Sequence, residues 1–315
     1  MDLRQLRYFV TVAEERSVTR AAARLHLTQP PLSAQLARLE HELGAELLVR
    51  HRRGVDLTDA GAHLLGRARR LLADVDAAGE AVRRLGEGRA GRLGLAFVSS
   101  TAWSVLGPLL RRYHADRPDV VVEPLEDGPD GVLEHVRARR AELGLLHLPP
   151  PGTAAAANPD LDVAVVRREP LVAVLPRAEA GRVGDLVDLA VLAGHTFLAP
   201  PRASWGGLQP HLRGACRLAG VEPVVREVAL VQTVVTLVGA GLGVSVLPAS
   251  VRAVAGDDVV LRPLARPAPV VETAVVRRRA DAPSPQAQHF LRHALATPEP
   301  DVLGPDHARQ GRGPT

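Results

Sequence analysis

Residues 1–57 alternate between short segments in which apolar residues recur three or four positions apart and short polar breaks. Residues with that spacing share one face of a helix, so the pattern predicts three amphipathic helices. Ser17 and Thr28 stand where the second and third helices begin and are suited to cap them. Pro30 and Pro31 are tolerated only in the first turn of the third helix, and Gly44 is suited to end it.

The segment LLVRHRRGVDLT, which follows the third helix, alternates apolar and polar residues around Arg53 and Gly54. Alternation of this kind about a glycine is typical of a small β-hairpin. Three helices and a hairpin are the elements of a winged helix-turn-helix, which we place at residues 1–58. In a helix-turn-helix protein the recognition helix enters the major groove of double-stranded DNA.

A long helical segment is predicted at residues 59–88, where apolar residues follow one another by steps of four and three. This uninterrupted heptad pattern favours a helix that pairs with a second helix, so we assign the segment as a dimerisation linker. Leu64, Leu71, Val75 and Val82 are the residues expected at the pairing face. The alternative is a helix that packs against the core of its own domain.

Beyond a hinge-like break near residues 87–91, strand-like runs of Val and Leu alternate with helical segments. Such alternation predicts an α/β domain with a largely parallel sheet, which we place at residues 91–297. The tail at residues 298–315 is rich in Gly, Pro and polar residues and is expected to be disordered.

The composition favours a globular protein of two or three domains, since the chain has 315 residues of which 46% are hydrophobic. Its formal net charge of +4 permits binding to nucleic acid without demonstrating it, and the sequence contains arginine but no lysine. The single cysteine, Cys216, cannot form an internal disulfide, and no apolar run has the length of a signal peptide or a membrane span. We therefore expect a cytoplasmic protein without a membrane contact.

Four stretches of the N-terminal region carry a resemblance to a known family, namely LRQLRYFVTVAEE, SVTRAAARLHLTQPPLSAQLARLE, HELGAELLVR and LTDAG. Together they closely resemble the LysR-type transcriptional regulators, and the similarity extends over nearly the whole chain except the tail. The resemblance implies a winged helix-turn-helix and a long linker helix, followed by a two-lobed α/β effector domain like that of periplasmic solute-binding proteins. It further implies a sequence-specific regulator, not an enzyme, that binds double-stranded DNA and a small-molecule effector between the lobes.

The resemblance also implies partners and a branch of the family. Homodimers would assemble into a homotetramer, the protein would repress its own promoter and activate a divergent operon, and RNA polymerase is a further candidate partner. FVSS and REVALVQTVVTLVGAGLGVSVLPAS look most like the regulators of aromatic-compound degradation that respond to muconate or benzoate. Pro129 stands near where those relatives have a hydroxyl residue, which argues against muconate itself.

The predicted DNA-contacting residues lie at the start of the third helix and in the hairpin. Gln35 can form paired hydrogen bonds with an adenine edge, and Arg38 is suited to a phosphate. Ala34 stands where related regulators often have a basic residue, so the contact made there by relatives is in question. A basic wing fits backbone or minor-groove contacts, although a solvated basic turn is the alternative. The full set is Thr28, Gln29, Pro30, Pro31, Ser33, Gln35, Arg38, Arg50, Arg52 and Arg53.

The predicted effector-contacting residues lie in three segments of the α/β domain. Ser99, Ser100 and Thr101 close a strand and open a helix, where hydroxyl and backbone N–H groups can face a carboxylate together; ordinary helix capping is the alternative. Arg202 can clamp a carboxylate and Trp205 can pack on a ring, or the two can be a surface arginine and a core aromatic. The full set is Ser99, Ser100, Thr101, Pro201, Arg202, Ser204 and Gln232.

Three features imitate other kinds of site. Residues 239–243 resemble a dinucleotide-binding loop, yet they follow a helix and precede a strand, the reverse of the required order. His289 and His293 stand four apart on a helix without further metal ligands nearby, and Cys216 has no activating partner in the sequence. We therefore expect no catalytic, metal or cofactor site. A repressor that is indifferent to ligands is the remaining alternative if its own side chains fill the cleft.

Overall fold

The computed structural model describes residues 1–52, 54–150, 158–265 and 269–296, and contacts divide the chain into two units, Met1–Arg84 and Leu85–Thr315. The first unit consists of three helices, a hairpin and a long helix. Its elements are α1 (Leu3–Glu15), α2 (Val18–Arg24), α3 (Gln29–Leu43), β1 (Leu48–His51), β2 (Gly54–Leu57) and α4 (Asp59–Gly86), which runs two residues past the boundary. β1 and β2 pair antiparallel, as a hairpin requires.

The ends of α2 and α3 are set by local capping chemistry, with one exception. The Ser17 side chain accepts a hydrogen bond from the backbone N–H of Arg20, and Gly44 ends α3 in the left-handed conformation. Thr28 occupies the N-cap position of α3, but its side chain makes no capping hydrogen bond, contrary to expectation. An N-cap hydroxyl accepts from the backbone N–H of the second or third helical residue, and here both are prolines, which lack that donor.

One hydrophobic core holds the first unit together. Leu6 and Phe9 of α1 and Leu32, Leu36 and Leu39 of α3 are almost completely buried. Burial of one such side chain contributes roughly 1.5–3 kcal/mol. The inner face of α3 is therefore fixed by packing, and its outer face is left to solvent.

The apolar stripe of α4 lies in two different environments. Ala68 is fully buried and Leu64 packs against the core of the first unit. Leu71, Val75 and Val82, by contrast, are 47%, 40% and 69% exposed. Packing against its own domain therefore accounts for the first turns of α4, whereas the apolar residues of the later turns are exposed.

The second unit combines strands and helices. Its strands are β3 (Ala90–Phe97), β4 (Asp119–Glu126), β5 (Leu143–His147), β6 (Leu161–Pro176), β7 (Thr196–Ala199), β8 (Val224–Glu227), β9 (Ser245–Pro248), β10 (Val259–Pro263) and β11 (Val270–Arg278). Its α-helices are α5 (Ser99–Thr101), α6 (Gly107–Asp116), α7 (Pro129–Arg137), α8 (Gln209–Leu218), α9 (Val231–Gly239) and α10 (Pro285–Leu295). A π-helical turn, Ala102–Leu106, joins α5 to α6, and short 3-10 helices span Arg177–Glu179, Leu189–Leu192 and Ala249–Val254.

The main sheet of this unit is mixed, which corrects the expectation of a largely parallel sheet. β3 pairs in parallel with β4 and β5, whereas β6 pairs antiparallel with β9, β10 and β11. The cause is the length of β6. Residues 161–170 pair with β11, and residues 171–176 pair with β9 and β10. The first half of β6 therefore hydrogen-bonds to one group of strands and its second half to another.

The long strand β6 connects two lobes that have separate cores. Lobe I contains β3–β5, β11, α5–α7 and α10, around buried residues such as Leu95, Leu143 and Phe290. Lobe II contains β7–β10, α8 and α9, around residues such as Phe197 and Leu247. Because β3 and β5 run in parallel, their carboxyl ends meet at one edge of lobe I, where ligands of open α/β sheets commonly bind.

Candidate functional site

The first turn of α3 forms an exposed polar surface of the first unit. The Gln29 side chain accepts a hydrogen bond from the Thr19 hydroxyl at 3.3 Å, which links α3 to α2. Ser33 and Gln35, one and two turns into the helix, are half-buried beside the core. The exposed members of the predicted DNA-contacting set in this turn are Thr28, Gln29, Pro30 and Pro31.

Arg38 lies further along α3, on its solvent side. Its Nε atom is 3.0 Å from Oε1 of Glu42, an ion pair between residues four apart. Hydrogen bonds from the N-terminal amino group and from Arg38 hold the pKa of Glu42 below its ordinary value. The positive charge of Arg38 is therefore partly compensated within the chain.

The β1–β2 hairpin presents arginines at the surface of the first unit. Arg50 and Arg52 are exposed, and neither forms an ion pair with another residue that the structure describes. Arg53, the third predicted wing residue, lies outside the described residues. Gly54 fits close to α1, because a Cβ there would lie 2.3 Å from the backbone oxygen of Arg16 and its φ is +144°. Because glycine has no side chain, it allows the hairpin to approach the end of α1 this closely.

A cavity of about 680 Å³ lies between the two lobes of the second unit. Its volume is within the range of small-molecule sites. Lobe I supplies the carboxyl ends of β3, β4 and β5 and the start of α7, and lobe II supplies residues 200–203, 207–208 and 229–231. Four of the predicted effector-contacting residues are brought together in its wall, namely Ser99, Ser100, Pro201 and Arg202.

A buried hydrogen-bonded chain holds the Ser100 hydroxyl at this wall. Ser100 Oγ is 2.8 Å from Nε2 of His147, and Nδ1 of His147 is 3.0 Å from Oγ1 of Thr273. Burial, with a smaller contribution from His211, lowers the pKa of His147 to about 3. The imidazole is therefore neutral near pH 7, so it donates one of the two hydrogen bonds and accepts the other.

Three of the predicted effector-contacting residues do not line the cavity. Thr101 is fully buried and its hydroxyl donates to the backbone oxygen of Val98 at 2.8 Å, and no side-chain hydrogen bond caps α5, so the capping alternative does not apply to Thr101 either. Gln232 is exposed on α9, one residue beyond the wall residue Val231. Ser204 contacts the other lobe instead, through Asp130.

The loop at residues 200–208 is attached to lobe I on one side of the cavity. The backbone N–H of Ser204 donates to both carboxylate oxygens of Asp130, at 3.1 and 3.0 Å, and its hydroxyl also donates to Asp130. Burial raises the pKa of Asp130, but hydrogen bonds from Ser204 and Trp205 outweigh it, so the net pKa lies below the ordinary value. Trp205 is buried in a lobe I cluster, which makes it the core aromatic of the two alternatives. Gly206 is the next residue, and its φ is +79°. A Cβ at this position would lie 2.5 Å from the backbone oxygen of His147.

Comparison with known proteins decides the family. A family model described as "LysR substrate binding domain" matches residues 86–298, and one described as "Bacterial regulatory helix-turn-helix protein, lysR family" matches residues 3–62. The chain belongs to the LysR family. It is therefore a DNA-binding transcriptional regulator with a substrate-binding domain, and we refer to its second unit as the effector domain.

Similar members of the LysR family align over almost the whole chain. The HTH-type transcriptional regulator IlvR of Caulobacter vibrioides is 40% identical over 298 residues, which cover 93% of this chain and 97% of that protein. The crystal structure of CbnR, a LysR family transcriptional regulator, superposes with a TM-score of 0.83 at 29% identity and covers 93% of this chain and 100% of its own. Full-length CbnR complexed with its target DNA gives a TM-score of 0.78 at 29% identity, covering 93% and 98%. These relatives are regulators and not enzymes.

His147, Asp130 and Glu126 are among the cavity residues of this LysR-family chain that sequence analysis did not identify. A lone histidine at the end of the apolar run LGLLH has no periodic signal. Its place at the carboxyl end of β5, beside the end of β3, is the one feature that points to the cavity. Asp130 had no such signal, because its partner Ser204 lies 74 positions away.

The three imitations of other sites have structural explanations. Residues 239–243 form the end of α9 and a turn before β9, with Gly241 in the left-handed conformation. Cys216 is fully buried, and burial raises the pKa of its thiol to about 11. Within the described ranges no group of His, Cys, Asp and Glu is arranged to hold a metal ion, and Nε2 of His293 lies 3.0 Å from a carboxylate oxygen of Asp116 instead. No helix in those ranges is long and apolar enough to cross a membrane.

Proposed function

We propose that this LysR-family regulator binds a specific DNA site through the N-terminal half of α3 and the β1–β2 wing, and that an effector between the lobes changes that binding. The observation that carries the proposal is the cavity, whose wall combines Ser99 and Ser100 of lobe I with Arg202 of lobe II. Hydroxyl and guanidinium donors suit a carboxylate, so the effector carries one.

The regulator pairs through α4 in this proposal. The exposed stripe formed by Leu71, Val75 and Val82 is removed from water when two α4 helices pack together. Two α3 helices then read the two halves of a dyad whose centres lie roughly 34 Å apart, one turn of DNA. A second contact between dimers completes the homotetramer that family membership implies. The protein acts in the cytoplasm, where bacterial DNA lies.

The coupling between effector and DNA follows from the position of the cavity. A ligand that touches both lobes binds one relative placement of the lobes more tightly than others and therefore shifts the population towards it. Coupling of about 1–3 kcal/mol, typical of allosteric proteins, changes DNA affinity about 5- to 150-fold. That range is sufficient to change promoter occupancy.

Footprinting of the upstream intergenic DNA of its own gene, at moderate salt, tests the proposal. Candidate small carboxylates, including benzoate and cis,cis-muconate, are added in parallel. We expect a protected dyad that shortens or shifts with one compound. Protection that no compound changes would instead favour a repressor indifferent to ligands, and salt-sensitive binding everywhere without a protected dyad would count against this DNA site.

Variants of the cavity wall separate the two halves of the proposal. Ser100→Ala and Arg202→Ala should abolish the response to the compound and leave the footprint itself intact. Arg217→Ala, an exposed arginine on α8 outside the cavity wall, is the matched control and should respond like the wild type. Retained responses in both wall variants would mean that the effector binds elsewhere.

A further inference from the structure

The charges around the inter-lobe cavity limit the kind of effector it accepts. Its wall contains three carboxylates, Glu126, Asp127 and Asp130, but one guanidinium, that of Arg202. His147 adds no positive charge, because burial keeps it neutral. The formal charge of the wall is therefore negative, which is unfavourable for an effector that carries only negative charge.

Two of the three carboxylates are already engaged within the protein. Asp127 accepts a hydrogen bond from the backbone N–H of Gly128 at 2.7 Å, and its other oxygen lies 3.1 Å from Nε2 of His135. Asp130 accepts hydrogen bonds from the backbone N–H and the hydroxyl of Ser204. These carboxylates shape the loop and the start of α7, and hydrogen bonds hold the pKa of Asp130 below its ordinary value.

The remaining two charged groups have no partner among the described residues. Neither the carboxylate of Glu126 nor the guanidinium of Arg202 forms an ion pair or a hydrogen bond with any residue in the part of the chain that the structure describes. Glu126 ends β4 in lobe I, whereas Arg202 belongs to the loop of lobe II. One unpaired acid and one unpaired base thus border the same cavity from different lobes.

We propose that the effector is a zwitterion of the amino-acid type, which rests on the function proposed above. Its carboxylate binds Arg202 and the hydroxyls of Ser99 and Ser100, and its ammonium group binds Glu126. A dicarboxylate would leave Glu126 unpaired and bring a second negative charge against an acidic wall, which costs affinity.

The rest of the wall suits an apolar side chain on such a molecule. Pro200, Leu208, Leu230 and Val231 line the lobe II side of the cavity. Apolar surface of this kind contributes affinity through burial, while the charged groups fix the orientation. The expected class is therefore an α-amino acid with a medium-sized apolar or aromatic side chain.

Thermal shift and isothermal titration of the full-length protein test this inference. The twenty proteinogenic amino acids are measured first, followed by the deaminated and the decarboxylated analogues of the tightest binder; benzoate and cis,cis-muconate are measured in parallel. We expect one or more apolar amino acids to raise Tm, because a ligand that binds the folded state stabilises it. Each analogue should bind on the order of tenfold more weakly or worse, the usual loss when a charged hydrogen-bond partner is removed.

Variants assign the two ends of the ligand. Glu126→Gln should lower affinity for the amino acid on the order of tenfold, but it should leave unchanged or raise the affinity for the deaminated analogue, because that anion loses an unfavourable charge. Arg202→Gln should weaken the binding of both. Glu123→Gln, on the same strand but outside the cavity wall, is the matched control and should bind like the wild type.

Several results would overturn the inference. Failure of all twenty amino acids to bind, or tighter binding of benzoate or muconate than of any amino acid, contradicts the zwitterion while leaving a ligand-responsive regulator possible. Unchanged amino-acid affinity in Glu126→Gln contradicts the assigned partner. An amino acid that binds with the expected selectivity but never alters the DNA footprint supports the ligand class and contradicts the proposed function instead.

Discussion

His147 should make the effector domain sensitive to acid. The side chain is fully buried between Ser100 and Thr273, and burial lowers its pKa to about 3. In the unfolded chain it titrates near its ordinary value of 6.5. Between these values the unfolded state binds a proton that the folded state does not. The free energy of unfolding is therefore fully retained above about pH 6.5 and falls as the pH drops from there towards 3.

The size of the effect follows from the width of that window. Each pH unit within it costs about 1.36 kcal/mol of stability. Lowering the pH to 5.0 should therefore remove about 2 kcal/mol from the free energy of unfolding, a substantial part of the roughly 5–15 kcal/mol that is usual for a folded domain. His211, whose pKa is also lowered mainly by burial, adds a loss of the same sign. The comparison must therefore isolate His147.

Urea unfolding at pH 7.5 and pH 5.0, followed by tryptophan fluorescence, measures this loss. Both tryptophans of the chain, Trp103 and Trp205, lie in the effector domain, so the signal reports on that domain. His147→Gln keeps one donor and one acceptor for its neighbours but does not titrate. His114→Gln, an exposed histidine on α6, is the matched control. The loss between the two pH values should be about 2 kcal/mol smaller in His147→Gln than in the wild type or the control.

An equal loss in His147→Gln and in the wild type would refute the reasoning. It would mean that the buried imidazole takes up its proton without destabilising the fold, through rearrangement or water entry. If His114→Gln also lost less free energy of unfolding between the two pH values than the wild type, the effect would come from removing any histidine and not from the burial of His147.

The remaining predictions concern DNA, assembly and the loop beside the cavity. Gln35→Ala should relax sequence preference and weaken binding at the best site by about 1–3 kcal/mol, whereas Arg52→Ala should weaken binding to all DNA and reduce the salt dependence of binding. Competition footprinting distinguishes the two variants, and unchanged specificity in Gln35→Ala would show that α3 is not the recognition helix. Leu71→Glu should dissociate dimers in sedimentation experiments while Leu71→Met does not, and a dimer that survives the charge at low concentration would argue against pairing through α4. Gly206→Ala should lower the free energy of unfolding by about 1–3 kcal/mol, because its φ is +79° and the added methyl lies 2.5 Å from a backbone oxygen of lobe I. Gly214→Ala, in the middle of α8 with no atom within 4 Å of the new Cβ, should instead be neutral or stabilising in the same urea assay.

Local sequence signals predicted most of the first unit correctly. The spacing of apolar residues predicted α1, α2, α3 and the hairpin, and the structure has these elements. It also predicted the apolar stripe of α4, although Leu64 and Ala68 pack on the core of their own unit. The absent hydroxyl cap at Thr28 was open to prediction, since Pro30 and Pro31 remove the N–H groups it would need.

The effector domain was predicted less completely, for reasons of length and of chain topology. β7, β8 and β10 have only four or five residues, and unlike β1 and β2 they do not pair with a neighbour across a short turn that would mark a hairpin. Whether β6 runs parallel or antiparallel to its neighbours depends on how the chain connects the two lobes, and the spacing of apolar residues carries no information about that connection. The parallel sheet was therefore the wrong expectation, although the order of strands and helices was largely right.

The sequence by itself determined the helices of the first unit, the caps at Ser17 and Gly44, and the hairpin, because each depends on residues within about one turn or one hairpin. Only the tertiary structure decided that Trp205 belongs to the core of lobe I, that Ser204 binds Asp130, and that His147 supports Ser100 as a neutral side chain. The Ser100–His147 contact joins residues 47 positions apart, and the Asp130–Ser204 contact joins residues 74 positions apart. Polar pairs at such separation leave no periodic trace, since they form only when distant strands, helices and loops fold against one another, and burial then sets the protonation of the groups that become enclosed.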